Sequence, residues 1–266
     1  MLARMLQEHG LFLGDRLQPD HAEAVFFQGL NEYVLGESAT SWDRVDGVDQ
    51  LLRQPDMCAY LVDYLERSVD GPRCVSFLGA RRWSTTRSLH RFTEPWGWKD
   101  PRTTILFPMW ERVFPACRVV HVIRHGADVA GSLQARTLRG IGEYTADYRQ
   151  KAKRYRWVRR RRTYPASLRM TDLDAGIELW HAYVTAGSAA VESMGEQAFE
   201  LRYEDLLADP DPIMRDLLDF CELPAGDRRT WTDEVDASRA YAHRSDPTLQ
   251  EVAARRADLL EAFGYS

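Results

Sequence analysis

The run Cys117-Arg-Val-Val-His-Val-Ile123 constrains this chain more than any other segment. It is rich in β-branched residues and does not alternate with polar ones, the pattern of a strand buried on both faces. It ends at Arg124-His-Gly126 and passes into helical spacing from Ala127 to about Leu138. A buried strand, a tight turn and a helix imply a parallel sheet covered by helices, because parallel strands are joined by crossover helices. The same alternation recurs on both sides. Trp96-Gly-Trp98 reads as a short strand ending in a polar turn, and Ile105, Leu106, Met109, Trp110, Val113 and Phe114 then repeat at helical spacing up to Pro115. Ile177, Trp180, Val184, Gly187, Val191 and Met194 mark a long helix closed by Gly195, and Ala198 to Tyr203 reads as a further strand. One helix is expected after Pro212 and a last one from Leu249 to Phe263.

The front of the chain is more helical. Leu2, Met5 and Leu6 have helical spacing and Gly10 supplies a stop, but no capping residue precedes them. A helix under about 12 residues is marginal in water and must dock on something, and an α/β chain is expected to reach it from a strand and loop. Further helices are expected over Ala22–Leu35 and Asp56–Glu66, with mixed helix and loop from Gly71 to Pro95. No repeat or low-complexity linker divides the sequence, so a single domain over residues 1–266 is the economical reading. With 266 residues and 44% hydrophobic content, a disordered chain is excluded. The net charge of −5 argues against a general nucleic-acid binder. No apolar run approaches the roughly 18 residues of a membrane span, and the N-terminus lacks the apolar core of about 7 to 15 residues that a secretory signal carries. Cys58, Cys74, Cys117 and Cys221 are widely spaced with no C-x-x-C pair, which predicts reduced thiols, a cytoplasmic setting and no metal site.

Ligands of open α/β sheets sit beyond the carboxyl ends of strands, where helix N-termini offer free N–H groups and a positive dipole end. Arg124 ends the buried strand, and Ser132 lies about one turn into the next helix, four residues after Asp128. Together they suit a phosphate, held by a guanidinium fork and a hydroxyl donor. The plainer alternative has Arg124 paired with Asp128 and Ser132 merely exposed. Lys99, with Arg102 close behind, is a second anion candidate at a strand end. The plainer alternative is a solvated loop lysine.

Three ordered segments resemble the PAPS-dependent sulfotransferases, in particular their bacterial branch, where PAPS is 3'-phosphoadenosine 5'-phosphosulfate. They are Trp96-Gly-Trp-Lys-Asp-Pro-Arg-Thr103, Phe114 through Arg124-His-Gly-Ala-Asp128 to Ser132, and Leu201-Arg-Tyr-Glu-Asp-Leu-Leu-Ala-Asp-Pro210. The resemblance implies a P-loop-NTPase-like three-layer α/β fold with a parallel central sheet flanked by helices. It matches Arg124 and Ser132 to the clamp on the nucleotide 3'-phosphate, and Lys99 to a lysine near the phosphosulfate bridge. It matches Tyr203 to a position near the adenine and 3'-phosphate, where a core tyrosine at a strand end is the plain alternative. Arg239 or Arg244 is the matching late basic contact. In relatives a strand and a glycine-rich loop cradle the 5'-phosphosulfate, and the helix that follows reads like Leu2 to Gly10. This sequence begins at that helix, and no G-x-x-x-x-G-K-[ST] occurs in it. Gly140-Ile-Gly142 lacks a preceding strand and a third glycine. The expectation is therefore a chain without the first strand and the phosphosulfate loop.

The implied reaction moves a sulfuryl group from PAPS to a hydroxyl or amine of a small-molecule or carbohydrate acceptor, leaving PAP. The resemblance places a base glutamate eight residues before an asparagine, which matches Glu23 and Asn31, and Lys99 is the candidate for charge on the leaving oxygen. A solvated first-turn carboxylate is the plain reading of Glu23, and His21, Asp15, His90 and Asp100 are rival bases. The other class of function is a non-catalytic homologue that binds PAP or another nucleotide. A nucleotide kinase is a weaker third reading, given the missing Walker-type loop. Trp42, Phe26, Phe27, Tyr33 and Trp96 are either an apolar acceptor pocket or core. Residues 149–162 hold nine basic residues and no acid, with Tyr155 and Trp157 interleaved, and read as a lid or exposed surface segment. Neither a nucleic-acid partner nor a membrane span is expected.

Overall fold

A computed structural model describes residues 1–19, 22–160, 164, 166–226 and 230–265. Along the chain run α1 (Leu2–Glu8), α2 (Val25–Glu37), α3 (Asp46–Leu52), α4 (Pro55–Val69), α5 (Val75–Thr86), α6 (Arg102–Val113) and β1 (Val119–Ile123). Then come α7 (Gly126–Lys151), α8 (Leu173–Met194), β2 (Ala198–Arg202), α9 (Tyr203–Ala208), α10 (Pro210–Phe220), α11 (Pro247–Arg255) and α12 (Ala257–Glu261). The fold is mixed α/β and mostly helical, with a small parallel sheet among the described residues. The chain divides into two units: Met1–Ile123 with Thr185–Ala237, and Arg124–Val184 with Ser238–Ser266.

In the first unit β1 and β2 pair in parallel, from Val119 opposite Ala198 to Ile123 opposite Arg202. The expected burial of β1 on both faces is corrected: only Ile123 is buried and Val122 is 39% exposed. Its ladder among the described residues is with β2 alone, so neighbouring strands do not enclose it. His121 lies opposite Glu200, and its Nδ1 is 2.9 Å from Glu200 Oε2. The end of α8 passes so close that a Cβ on Gly187 would stand 2.2 Å from His121 Nε2. Only glycine allows that approach.

The short α1 docks as its length requires. Met5 and Leu6 are buried in a cluster with Leu201, Leu206, Met214, Leu217 and Trp231, and Gly10 (φ +97°) turns the chain after it. A second cluster is aromatic. Phe27 stacks on Trp98 at 4.0 Å and meets Phe77 and Trp110 edge-on at 5.1 and 5.3 Å, the offset and T-shaped arrangements that ring quadrupoles favour. Phe26, Phe27 and Trp96 therefore belong to packed aromatic core. The strand expected at Trp96–Trp98 is corrected to a single parallel bridge between Phe12 and Trp96. Gly14 (φ +116°) turns the partner segment away before a ladder can extend.

In the second unit α7 runs well past the expected end at Leu138, through Gly140 and Gly142 to Lys151. No proline interrupts it, and the Tyr164 hydroxyl donates to the Thr137 carbonyl at 2.8 Å. Gly126 opens α7 because a Cβ there would meet Leu260 at 2.7 Å and Trp180 at 2.9 Å. The single last helix of the sequence reading is two helices, α11 and α12, broken at Arg256 (φ −115°, ψ 29°). Arg255 and Arg256 both turn to Asp174, at 2.7 and 3.0 Å.

Candidate functional site

Two polar clusters, one in each unit, hold Glu23 with Lys99 and Arg124 with Asp128. In the first unit the chain enters α2 through a tight bridge between Leu17 and Ala24, and the Gln18 amide donates to the Glu23 carbonyl at 2.8 Å. Glu23 thus stands just before the helix rather than in its first turn, with a side chain only 13% exposed. Lys99, 76 residues later, reaches it: Nζ donates to Glu23 Oε1 at 2.9 Å. The other carboxylate oxygen lies 3.8 Å from an Arg102 nitrogen. The solvated reading of Glu23 does not describe this carboxylate.

Arg102 organises the cluster. Its side chain is 9% exposed, its Nε donates to Asp100 at 2.8 Å and its Nη1 to Glu32 Oε1 at 2.7 Å. Burial works against the guanidinium charge, but Asp100 and Glu32 more than offset it and raise the pKa above the ordinary arginine value. Asn31, fully buried in α2, donates to Asp100 at 2.9 Å and to Thr103 at 3.0 Å, and accepts from Trp110 Nε1 at 2.8 Å. Hydrogen bonds therefore run from Trp110 through Asn31 and Asp100 to Arg102, whose ion pair with Glu23 at 3.8 Å joins them to the bond between Glu23 and Lys99. Charge-assisted links of this kind fix side chains in one geometry.

Among the rival bases, Asp100 is engaged by Arg102 and Asn31. His90 pairs with Glu66 at 2.8 Å. Asp15 is exposed, and His21 lies outside the described residues. Sequence reasoning gave Arg102 too small a part and missed Glu32 and Trp110. The Asp-Pro-Arg order was the available signal, since Pro101 opens α6 and places Asp100 where it accepts from the Arg102 amide at 3.0 Å.

The second unit holds the turn after β1. Arg124 is half-buried, and its guanidinium donates to Asp128 Oδ2 at 3.3 Å and to the Arg239 carbonyl at 3.1 Å. Asp128 is fully buried and also accepts from the His243 amide at 2.7 Å, the Ala242 amide at 3.2 Å and His243 Nδ1 at 3.0 Å. These donors tie the segment from Arg239 to His243 onto the start of α7. The His243 ring stacks on His125 at 3.8 Å, and Arg244 lies over the Tyr241 ring. Ser132 is exposed on α7. Tyr203, in the first unit, is half-buried at the first position of α9, directly after β2. Among the described residues no group of three or more His, Cys, Asp or Glu side chains converges as a metal site.

Chemically, the first cluster offers a carboxylate between two cations, the buried Arg102 and the partly exposed Lys99. The second puts an arginine immediately before the N-terminus of a long helix, where guanidinium and helix dipole act on an anion with the same sign. No curated protein and no solved structure matches the chain significantly. The family model described as the sulfotransferase family matches residues 4–227, a span that contains Glu23, Lys99, Arg124, Ser132 and Tyr203. The chain belongs to the sulfotransferase family.

Proposed function

We propose that this chain transfers a sulfuryl group from PAPS to a hydroxyl or amine of a small-molecule or carbohydrate acceptor, with residues 1–266 acting as one P-loop-like sulfotransferase domain. The observation that carries the reading is the meeting of Glu23 and Lys99 at 2.9 Å, since the resemblance implies the base role for the one and the charge-neutralising role for the other. PAPS supplies the sulfuryl group. Glu23 takes the proton from the attacking acceptor oxygen or nitrogen as the bond to sulfur forms and the bond from sulfur to the 5'-phosphate oxygen breaks. Lys99 neutralises charge arising on that phosphate oxygen. Arg102, pinned by Asp100 and Glu32, keeps the Glu23 carboxylate oriented. Arg124 and Ser132 bind the 3'-phosphate and Tyr203 lies by the nucleotide. Arg124 fits an anionic group through its place at the head of α7.

The test is PAP release from PAPS across a panel of alcohols, phenols and amines. Glu23→Gln should lower turnover by roughly 10²- to 10⁴-fold, the usual worth of a general base, with PAP affinity unchanged. Full turnover in that variant removes Glu23 from the base role. PAP binding with no turnover by the unaltered chain against every acceptor would favour the non-catalytic reading.

A further inference from the structure

We infer that the C-terminal end of α7 and the turn after it form a docking surface for an anionic lipid bilayer. The stretch from Arg149 to Arg160 contains seven basic residues and no acidic one. Lys151 and Arg160 both pair with Asp147. Arg149, Lys153, Arg154, Arg156 and Arg159 are exposed, and none of the five has an ion pair among the described residues. Between them Trp157 is 89% exposed and Val158 46%.

The segment is built, not merely charged. Arg160 folds back over the Tyr144 ring at 3.9 Å, and over Tyr148 and Tyr155 at 5.5 and 5.6 Å, while Tyr148 and Tyr155 stack on each other at 5.7 Å. These contacts pin the two ends of the stretch together and leave Trp157 between them. An indole and a valine held in water amid cations gain free energy by entering an apolar phase, and the surrounding cations gain by meeting anionic headgroups. A single-stranded nucleic acid would stack successive bases on successive free aromatic faces, but here Tyr144, Tyr148 and Tyr155 already face one another or Arg160 and leave Trp157, among the described residues, without a second free ring beside it to continue a stack. No helix among the described residues is long and apolar enough to cross a membrane, so the association is with the surface.

The experiment is flotation of the full chain with vesicles of phosphatidylcholine and phosphatidylserine in about a 70:30 ratio, against phosphatidylcholine alone, at about 0.1 M salt, where screening is moderate. Binding to the anionic vesicles only is expected. Each headgroup-facing cation is worth about fivefold in partitioning, so Arg154→Gln with Arg156→Gln should lower binding by more than tenfold. Trp157→Ala should lower it severalfold at the same salt. All three positions are exposed, so melting temperatures should stay unchanged. Absence of vesicle binding, equal binding to neutral vesicles, or binding indifferent to Trp157 would overturn the inference. Preference for a soluble polyanion such as single-stranded DNA over the vesicles would do the same.

Discussion

Gly187→Ala puts the packing of α8 on β1 to a test in which the sign depends on the background. In a helix interior, alanine is about 0.8 to 1.0 kcal/mol more favourable than glycine, so on propensity alone the change stabilises. Here the new methyl would lie 2.2, 2.5 and 2.8 Å from three atoms of the His121 ring. That ring is only 10% exposed and is tethered to Glu200 at 2.9 Å, so it cannot swing aside without losing the bond. Overpacking of this kind costs about 1 to 3 kcal/mol, and the lost pair, exposed on its glutamate side, about 0.5 kcal/mol. The net expectation is destabilisation by about 1 to 2 kcal/mol, or about 2 to 4 °C in Tm for each kcal/mol. With His121→Ala already in place the methyl enters vacated space, and the same Gly187→Ala change should now stabilise by up to about 1 kcal/mol. Urea unfolding of the four proteins in this cycle reads the coupling, provided the slope with denaturant is unchanged. Stabilisation in the unaltered background, or equal destabilisation in both, would refute the close approach of α8 to His121.

The ion pairs of Asp174 set a pH dependence. The Arg255 hydrogen bond, helped by the charges of Arg255 and Arg256 and opposed by desolvation, holds the Asp174 carboxyl below its ordinary value. The folded pKa is depressed, so the stabilisation is present above the ordinary aspartate value near about 4 and is lost as pH falls through the lower folded value. For so exposed a network it amounts to at most about 1 kcal/mol, and Asp174→Asn should flatten the acid limb of a Tm-versus-pH curve by that much. Burial pushes the Cys74, Cys117 and Cys221 thiols up. Iodoacetamide at pH 8 should therefore modify all three far more slowly in the folded chain than in urea, as followed by mass spectrometry. Equal rates in the two states would contradict the burial of Cys74 and the partial burial of Cys117 and Cys221.

How far the sequence reached differed by element. Amphipathic helices were legible because periodicity survives packing, and α1, α2, α4, α6 and α8 lie where apolar spacing put them. The strand at Trp96 was not, since aromatic composition suits a strand and an aromatic core equally, and only the turn at Gly14 decides between them. At the break, Arg255 and Arg256 bond to carboxylates some 80 positions away in the chain, partners that local pattern does not contain. In the first polar cluster, Glu23 and Lys99 were singled out by motif resemblance, while the network around Arg102 depends on three-dimensional meetings of Asn31, Glu32, Asp100 and Trp110. Arg124 was weighed between a phosphate and Asp128. Its bond to Asp128 is now seen, and that carboxylate is one an incoming anion would have to share the guanidinium with.

The central claim, that this chain uses a 3'-phosphorylated adenine nucleotide, is tested most directly by thermal-shift titration with PAP against ADP, which lacks the 3'-phosphate. A ligand at a hundredfold excess over its Kd raises apparent stability by about 2.7 kcal/mol. The account predicts a rise in Tm with PAP that ADP does not match, and its loss in Arg124→Gln when that variant melts near the unaltered chain in the absence of nucleotide. Equal shifts with PAP and ADP, or a PAP shift untouched by Arg124→Gln, would contradict it.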